Sequence, residues 1–348
     1  MSLKEKILMR LEAEQGFVSG QQLCDEYQVS RTAVWKAMKT LQTEGYEIEA
    51  INNRGYRLVK KPDLETAPVV AKKLTTRFWG HPVYFFDEVD STNNVIKLLA
   101  EGFSVSQTTQ GMQVEGEVWA AKAREGTLAI AEYQSAGKGR RGRHWEGEKG
   151  VNIYMSFLLR PEIQPENASM LTLILAMAGR KAVEEVTGLP SLIKWPNDLV
   201  VNGKKICGML TEMSAEMDEV HYIVAGIGIN VNEKTFAPEL KDKATSLSLE
   251  LGRDVPRSDV IAAYGRAFEE YYEKFLQTQD MSLLIEEYNQ CLVNMDRGVR
   301  VLEPQNEYSG VSLGINAQGE LLVRRDDTKD VVAVRSGEVS VRGIYGYV

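Results

Sequence analysis

Residues 134–145 read Q-S-A-G-K-G-R-R-G-R-H-W, and this stretch decides how the rest of the chain is interpreted. Three glycines and four Lys or Arg side chains fall within seven consecutive residues of a protein whose formal net charge is −8. Glycines let a backbone approach an anion closely, and arginine binds carboxylate or phosphate oxygens in pairs. The spacing matches neither a P-loop nor a Rossmann turn. The stretch therefore predicts a polyanion-binding loop of another kind.

Taken alone, this loop fits two kinds of ligand. A basic tract is as typical of a nucleic-acid contact as of a site for a small phosphate-bearing molecule. Trp145 favours the small molecule, because an aromatic face close behind the loop can stack on a purine base. The loop has little apolar surface to hold it down, so we expect it to be mobile until an anion binds.

Length and composition describe a multidomain globular protein. A chain of 348 residues with 43% hydrophobic residues suits two or three domains. No apolar stretch is long enough for a membrane span, and the sequence from Met1 lacks the apolar region of a signal peptide. We therefore expect a cytoplasmic protein with no membrane partner. Cys24, Cys207 and Cys291 lie too far apart for a zinc site, and we expect them to be buried thiols.

The N-terminal part predicts a winged helix-turn-helix domain. Apolar residues recur at helical spacing over residues 3–13, and a short second helix follows. Ser30 is the expected N-cap of a third helix that stops at Gly45. Strand-like segments at 47–51 and 55–59 then form a hairpin. Three helices followed by such a hairpin are typical of this domain.

This domain is the expected place for nucleic acid. Residues 1–61 hold ten Lys and Arg against eight Asp and Glu, a local charge of +2, so residues 62–348 carry −10. The third helix would enter the major groove and the hairpin would form the wing. The residues predicted to contact DNA are Arg31, Thr32, Lys36 and Arg54. The alternative is a packing module that contacts only protein, with Trp35 anchoring its own core.

Two further domains are predicted after a linker, which the prolines of residues 62–68 mark. Residues 69–294 contain several strand-like hairpins and two long apolar helical segments, at about 168–186 and 257–278. This pattern predicts an α+β domain with a mainly antiparallel sheet. Residues 295–348 show short alternating runs with glycines at the turns, which predict a small SH3-like β-barrel.

Five blocks, taken in order, resemble the biotin protein ligase family. They are D-S-T-N at 90–93, the loop at 134–145, K-W-P-N-D at 194–198, K-K-I-C-G-M-L at 204–210 and G-I-G-I-N at 226–230. Each block alone has an ordinary structural explanation as a helix cap, a turn or a closely packed strand. Their ordered combination is specific. With the N-terminal winged helix, the chain is similar to the bifunctional form, which is also the repressor of the biotin operon.

The resemblance implies a two-step reaction. The carboxylate of biotin attacks the α-phosphorus of ATP, which gives biotinyl-5'-AMP and pyrophosphate. A lysine amine of the biotin-acceptor domain of acetyl-CoA carboxylase or a related carboxylase then takes the biotin and releases AMP. Because the reacting groups are anions, cations and Mg²⁺ must gather at the reacting centre.

The resemblance also implies roles for residues within the blocks. The biotin-binding residues would be Ser91, Thr92, Asn93, Gln134, Lys138, Gly139, Arg140 and Lys205. The adenylate would be held by Arg143, Trp145, Asn197 and Asn230, with Trp145 stacking on adenine. The catalytic residues would be Lys205, Arg140, Asp198 and Lys194, and Asp198 is the candidate ligand of Mg²⁺. The segment 101–126 is longer than the family's connection there and receives no assignment.

Regulation and three alternatives follow from the same resemblance. If the ordered loop also meets a second subunit, biotinyl-5'-AMP would favour a homodimer that presents two winged helices to a palindromic operator. The alternatives are a biotin ligase whose N-terminal domain does not regulate transcription, a lipoate-attaching enzyme, and a transcription factor that senses a nucleotide. The last of these leaves Lys205 without a purpose.

Overall fold

The computed structural model describes residues 3–14, 16–43, 46–51, 54–60, 67–108, 111–117, 123–302, 307–337, 340–343 and 347–348. The chain divides into two compact units, Met1–Leu64 and Glu65–Val348. None of the described helices is long and apolar enough to cross a membrane. Cys24, Cys207 and Cys291 are buried free thiols, as the sequence predicted.

The smaller unit is a winged helix-turn-helix, which confirms the prediction. Its elements are α1 Leu3–Ala13, α2 Gly20–Tyr27, α3 Arg31–Thr43, β1 Glu47–Ile51 and β2 Gly55–Lys60, with β1 and β2 antiparallel. Ser19 caps α2 in a reciprocal capping box with Gln22. Ser30 Oγ accepts from the backbone N–H of Ala33, 3.2 Å away, at the start of α3. The predicted stop at Gly45 lies outside the described residues.

The core of this unit excludes Trp35. Ile7, Leu11, Val34 and Leu41 are almost fully buried where α1 and α3 meet, whereas Trp35 is 53% exposed. The interpretation that Trp35 anchors its own core is therefore wrong. Its helix turns the indole toward solvent because positions 34, 38 and 41 share the opposite, apolar face.

The larger unit is built on a seven-stranded sheet. Its strands are β3 Val83–Phe86, β6 Leu128–Ala131, β7 Ile153–Leu159, β8 Leu192–Lys194, β9 Asp198–Val201, β10 Lys204–Glu216 and β11 Glu219–Ile229. Their order is β3-β6-β7-β11-β10-β9-β8, and the neighbouring pairs are antiparallel except for β3 and β6. The predicted α+β fold with a mainly antiparallel sheet is confirmed.

Helices cover both faces of this sheet. They are α4 Ala67–Lys73, α5 Thr92–Glu101, α6 Leu171–Thr187, α7 Leu247–Leu251, α8 Arg257–Thr278 and α9 Ile285–Gln290. Residues Met155 and Phe157 of β7 belong to the apolar cluster that contains α6 and α8, whereas Leu158 packs in the cluster of α5. Because successive side chains of a strand alternate between faces, the sheet is buried on both sides.

The segment 101–126, left unassigned from sequence, contains a separate hairpin. Strands β4 Phe103–Thr108 and β5 Gly111–Glu117 pair only with each other among the described strands. Val105 is buried with the α5 cluster, so the hairpin is attached to that face of the sheet.

The C-terminal part is a five-stranded antiparallel β-domain. Its strands are β12 Gly298–Leu302, β13 Glu307–Ile315, β14 Leu321–Arg325, β15 Val331–Val334 and β16 Ser340–Gly343, in the order β15-β14-β13-β12-β16. Val299, Val301 and Leu321 belong to the same apolar cluster as α6 and α8. The indole N–H of Trp195 donates to the carbonyl of Gly319, 3.1 Å away. The small β-domain is therefore continuous with the sheet domain.

A buried ion pair ties α8 to the sheet. Arg257, the first residue of α8, is 1% exposed, and Glu132, directly after β6, is 2% exposed. Arg257 Nη1 donates to Glu132 Oε2 at 2.7 Å and to the carbonyl of Asn152 at 2.9 Å. Glu132 stands two residues before the loop at 134–145, so this pair fixes the start of that loop.

We predict that Arg257→Met lowers the free energy of unfolding by about 3–5 kcal/mol, because it leaves the Glu132 carboxylate buried without its cation. The matched control is Arg266→Met on the same helix. Arg266 pairs with Glu185 at 2.5 Å where both side chains are more than 40% exposed, so its loss should cost under about 1 kcal/mol. Urea unfolding followed by tryptophan fluorescence measures both. Equal effects of the two substitutions would contradict the prediction.

Candidate active site

One cavity of about 960 Å³ gathers the predicted small-molecule site. The fourteen residues that the five blocks nominated for biotin, adenylate and catalysis all line it: Ser91, Thr92, Asn93, Gln134, Lys138, Gly139, Arg140, Arg143, Trp145, Lys194, Asn197, Asp198, Lys205 and Asn230. The first block, 90–93, and the last, 226–230, are more than 130 residues apart in sequence, and they meet because the sheet brings the strands and loops that carry the blocks together. The volume suits a ligand of nucleotide size.

A hydrogen-bonded network forms one wall of this cavity. Thr92, at the start of α5, donates from its backbone N–H to Gln134 Oε1 at 2.8 Å. Its hydroxyl lies 3.1 Å from the same oxygen and 2.7 Å from Ser156 Oγ on β7. Ser156 in turn donates to Asn93 Oδ1 at 2.6 Å. Ser91, Thr92 and Asn93 are each at most 3% exposed, so the wall is fixed before any ligand enters.

The amide of Asn93 is held by a charged residue, Glu212. Its Nδ2 donates to Glu212 Oε2 at 2.7 Å, and Lys97 Nζ lies 2.6 Å from Glu212 Oε1. Partial burial would raise the pKa of Glu212, but the hydrogen bonds from Lys97 and Asn93 hold that pKa below its ordinary value. A Cβ at Gly226 would lie 2.1 Å from Asn93 Oδ1, so this position on β11 must be glycine. The carboxylate of Glu212 thus fixes the orientation of the Asn93 amide.

The cationic loop is closed by its own backbone. Gly139 donates to the carbonyl of Arg143 at 2.7 Å, and Trp145 donates to the carbonyl of Gly137 at 2.9 Å. A Cβ at Gly137 would lie 2.4 Å from the carbonyl oxygen of Trp145, which explains glycine there. Lys138 reaches α5, where its Nζ donates to Asn94 Oδ1 at 2.6 Å, while Arg143 is exposed.

Arg140 connects the loop to two other parts of the unit. Its Nη1 donates to Asn197 Oδ1 at 3.0 Å, and its Nη2 donates to the backbone carbonyls of Ser336 and, at 2.7 Å, Gly337 in the β-domain. Burial lowers the pKa of Arg140 and the Asp198 charge opposes that shift. Arg140 thus has partners of its own that an anionic ligand must replace.

The indole of Trp145 lies against two glycines. Gly208 of β10 and Gly228 of β11 pair directly. A Cβ at either position would come within 2.6–2.7 Å of the indole. Lys205 Nζ lies 5.2 Å from the centre of the ring. The glycines therefore create a shallow groove that accepts a planar ring.

Three polar side chains gather around Asp198, whose own side chain is 13% exposed. Lys205 Nζ lies 2.6 Å from Asp198 Oδ1, and the hydroxyl of Tyr347 donates to Oδ2. Lys194 Nζ lies 3.4 Å from the centre of the Tyr347 ring. Burial alone would raise the pKa of Asp198, but Lys205 and Lys194 hold it below its ordinary value, so the carboxylate stays charged.

The described residues do not fit a metal site of their own. Among them, no group of three or more His, Cys, Asp or Glu side chains is arranged to hold a metal ion. Both oxygens of Asp198 already have partners in Lys205 and Tyr347. This geometry gives Asp198 the function of an anion between cations, and the assignment of Mg²⁺ to it stays a prediction that the contacts do not favour.

Three residues that support the site lie outside the five blocks. Ser156 on β7 and Glu212 on β10 contact the cavity residue Asn93 from outside the cavity lining. Tyr347, which follows β16, lines the cavity itself. Asn230, a predicted adenylate-binding residue, lines the cavity but is only 5% exposed, and its Nδ2 donates to the carbonyl of Thr245 at 3.1 Å.

In the smaller unit, the residues predicted to contact DNA are on the surface. Arg31, Thr32 and Lys36 are exposed on α3, and Arg54 is exposed at the hairpin. Arg31 Nη2 donates to Gln21 Oε1 of α2 at 2.8 Å, and the Arg54 guanidinium lies 5.3 Å from the centre of the Phe17 ring. The exposed face of α3 thus presents cations and the indole of Trp35.

The fold and the cavity together are typical of an enzyme that binds anionic ligands. The same chain also carries a DNA-binding domain. Three family models match the chain: an HTH domain at residues 4–57, the biotin/lipoate A/B protein ligase family at 102–230, and the biotin protein ligase C-terminal domain at 295–342. The three matches follow the order of the folded parts.

Relatives of known function match almost the whole chain. The bifunctional ligase/repressor BirA of Bacillus subtilis (strain 168) is 37% identical over 328 residues, which cover 93% of this chain and 94% of that protein. The protein of the same description from Escherichia coli (strain K12) is 28% identical over 335 residues, 96% of each chain. A solved biotin protein ligase from Aquifex aeolicus in complex with biotin and ATP has a TM-score of 0.61 and 29% identity, covering 75% of this chain and 98% of that one.

The chain belongs to the biotin protein ligase family. Within it, the winged helix-turn-helix places the chain with the bifunctional ligase/repressors.

We predict that Lys194 makes catalysis sensitive to pH near 8. Burial lowers the pKa of its ammonium to about 8, so its positive charge is present below that pH and is lost above it. If the ammonium binds the triphosphate, kcat/KM for ATP should fall above pH 8 by up to about tenfold per pH unit, because kcat/KM reports ionisation of the free enzyme.

Lys194→Arg tests this assignment, since a guanidinium keeps its charge well above pH 10. The variant should lose the decline near pH 8, whereas the control Lys181→Arg, at an exposed lysine outside the cavity, should keep it. A decline that persists unchanged in Lys194→Arg would assign it to another group.

Proposed function

We propose that this chain adenylates biotin with ATP, transfers the biotin to a lysine of a carboxylase acceptor domain, and uses biotinyl-5'-AMP as the co-repressor that directs it to operator DNA. The observation that carries the enzymatic part is that one cavity joins the Thr92–Gln134–Ser156 network to the cations Lys205, Lys194 and Arg140. Because ATP and operator DNA are found in the cytoplasm, this function also places the protein there.

The polar wall suits the ring of biotin. A ureido group has one carbonyl acceptor and two N–H donors, all of which must be satisfied once they leave water. Ser91, Thr92 and Asn93 supply buried hydroxyl and amide groups, and Gln134 supplies an amide beside them. The ring of lipoate has neither these N–H donors nor the carbonyl acceptor, so it offers this wall no hydrogen bonds. Competition between the two acids for adenylation tests the choice, and lipoate should compete poorly.

The cations suit the first chemical step. A carboxylate oxygen of biotin attacks the α-phosphorus of ATP, the bond between the α-phosphorus and the bridging oxygen breaks, and pyrophosphate leaves with that oxygen. Negative charge grows on the α-phosphate oxygens in the transition state, so the cations stabilise it more than the separated reactants. Lys205 can leave the carboxylate of Asp198 for the ligand, and Arg140 can leave the carbonyls of the β-domain.

The second step needs no nucleophile from this chain. The amine of the acceptor lysine attacks the carbonyl carbon of biotinyl-5'-AMP, loses a proton and forms an amide, and AMP leaves with the phosphate oxygen. Trp145, which packs against Gly208 and Gly228, is the proposed stacking surface for adenine. ATP is expected to enter with Mg²⁺, which prefers phosphate and water oxygens as ligands.

We predict that Lys205→Ala lowers the rate of biotinyl-5'-AMP formation by about 10²-fold or more, because one preorganised cation is lost from the developing charge. The matched control is Lys204→Ala. The Nζ atom of Lys204 donates to the carbonyl of Lys241 at 3.0 Å outside the cavity. The adenylate is measured directly by chromatography after quenching. Retained activity in Lys205→Ala would remove this residue from the mechanism.

The regulatory part is tested with DNA from the source of the protein. Sheared genomic DNA is mixed with the protein with and without biotin plus ATP, and the retained fragments are sequenced. We expect a palindromic site to be enriched only when both small molecules are present, together with a shift from monomer to dimer in gel filtration. Lys36→Ala should weaken this retention and leave adenylation unchanged. No enrichment in either condition would favour the alternative, a ligase whose N-terminal domain does not regulate transcription.

A further inference from the structure

Tyr347 lines the cavity although it lies outside the five blocks. It follows β16, and the neighbouring Val348 packs against the turn between β9 and β10. A Cβ at Gly203, a residue of that turn with φ of +76°, would lie 3.3 Å from a methyl carbon of Val348. This packing brings the aromatic side chain from the β-domain to the edge of the sheet where Asp198 and Lys205 stand.

The side chain has two contacts of different kinds. Its hydroxyl donates to Asp198 Oδ2, while Lys205 Nζ is 2.6 Å from Oδ1 of the same carboxylate. The face of its ring receives Lys194 Nζ, 3.4 Å from the ring centre. The hydroxyl and the lysine therefore hold the two carboxylate oxygens separately, which prevents rotation of Asp198.

The ring also gives the second lysine a partner. Lys194 is 8% exposed, and an ammonium buried to this extent needs compensation for the water it has lost. A cation over an aromatic face is attracted by the ring quadrupole, more strongly when it is desolvated. Lys194 thus has a contact of its own in the ring, in addition to its attraction to Asp198, while Lys205 pairs directly with Asp198.

We infer that Tyr347 is a positioning residue for adenylation: its hydroxyl fixes Asp198 so that Lys205 is aimed at the reacting centre, and its ring holds Lys194 for the triphosphate. This inference rests on the proposed function. It makes the β-domain a part of the catalytic site, because the positioning group comes from beyond β16.

Substitution separates the two contacts. Tyr347→Phe keeps the ring and removes the hydroxyl, so kcat for adenylation should fall about tenfold while KM for ATP changes by less than about twofold. Tyr347→Ala removes the ring as well, so KM for ATP should also rise, by about tenfold. Tyr288→Phe is the matched control, because the hydroxyl of Tyr288 is buried in α9, without a hydrogen-bond partner among the described residues, and away from the cavity. It should behave as the unaltered protein.

A double-mutant cycle shows whether the hydroxyl acts through Asp198. In an Asp198→Asn background, Tyr347→Phe should lower kcat by less than about twofold, since the charged acceptor of its hydrogen bond is already gone. An unchanged kcat in Tyr347→Phe, or the same tenfold loss with and without Asp198, overturns the inference. If the unaltered protein forms no biotinyl-5'-AMP, the proposed function itself fails, whereas a normal loss in Lys205→Ala with none in Tyr347→Phe overturns only the role of Tyr347.

Discussion

The carboxylate of Asp198 is the group on which the arrangement of the site depends. Lys194 and Lys205 both line the same cavity, and without an anion between them their charges would repel. Asp198 remains ionised because those same lysines stabilise its charge. The result is a set of cations that is stable in the absence of ligand and is still available to one, because a phosphate can replace a single carboxylate as the partner of Lys205.

Glycines determine the shape of the surface above these charges. The sheet is buried on both sides, and an ordinary strand would cover it with side chains. Gly208, Gly226 and Gly228 leave bare backbone at adjacent positions of β10 and β11, and Trp145 and Asn93 lie in the space so created. The glycines of the block G-I-G-I-N thus contribute to the site because they have no side chain. Any Cβ at these positions would meet the indole or the amide at a distance that real contacts do not allow.

The sequence predicted the parts of the site that are local in the chain. A cap, a loop and two hairpins each carry several functional residues within a few positions, so their motifs could be recognised before their meeting place was known. Ser156 and Glu212 could not be found in this way, since each is one polar residue in a strand, and its role arises from pairing with Asn93 across the fold. Tyr347 reaches Asp198 across about 150 residues of chain, and only the packing of the β-domain brings them together.

The same contrast holds for the elements of the fold. The long helix α8 matches its predicted bounds because its apolar period is sustained over 22 residues. Helices α4, α7 and α9 have only five to seven residues, too few for a period to stand out. The predicted helix from about 168 begins at Leu171, because residues Pro165–Met170 form a 3-10 turn instead. No motif predicted the hairpin β4–β5.

The hydrogen bonds of Arg140 have a consequence for ligand selection. In the free protein its guanidinium is already satisfied by two backbone carbonyls and the amide oxygen of Asn197. A ligand replaces these neutral oxygens only if it forms stronger hydrogen bonds with Arg140. A phosphate or carboxylate does so, because hydrogen bonds to an ion are about twice as strong. An uncharged molecule of the same shape gains nothing by the exchange. The loop therefore selects ligands for negative charge, whereas the polar wall selects them for the hydrogen-bonding groups of their ring.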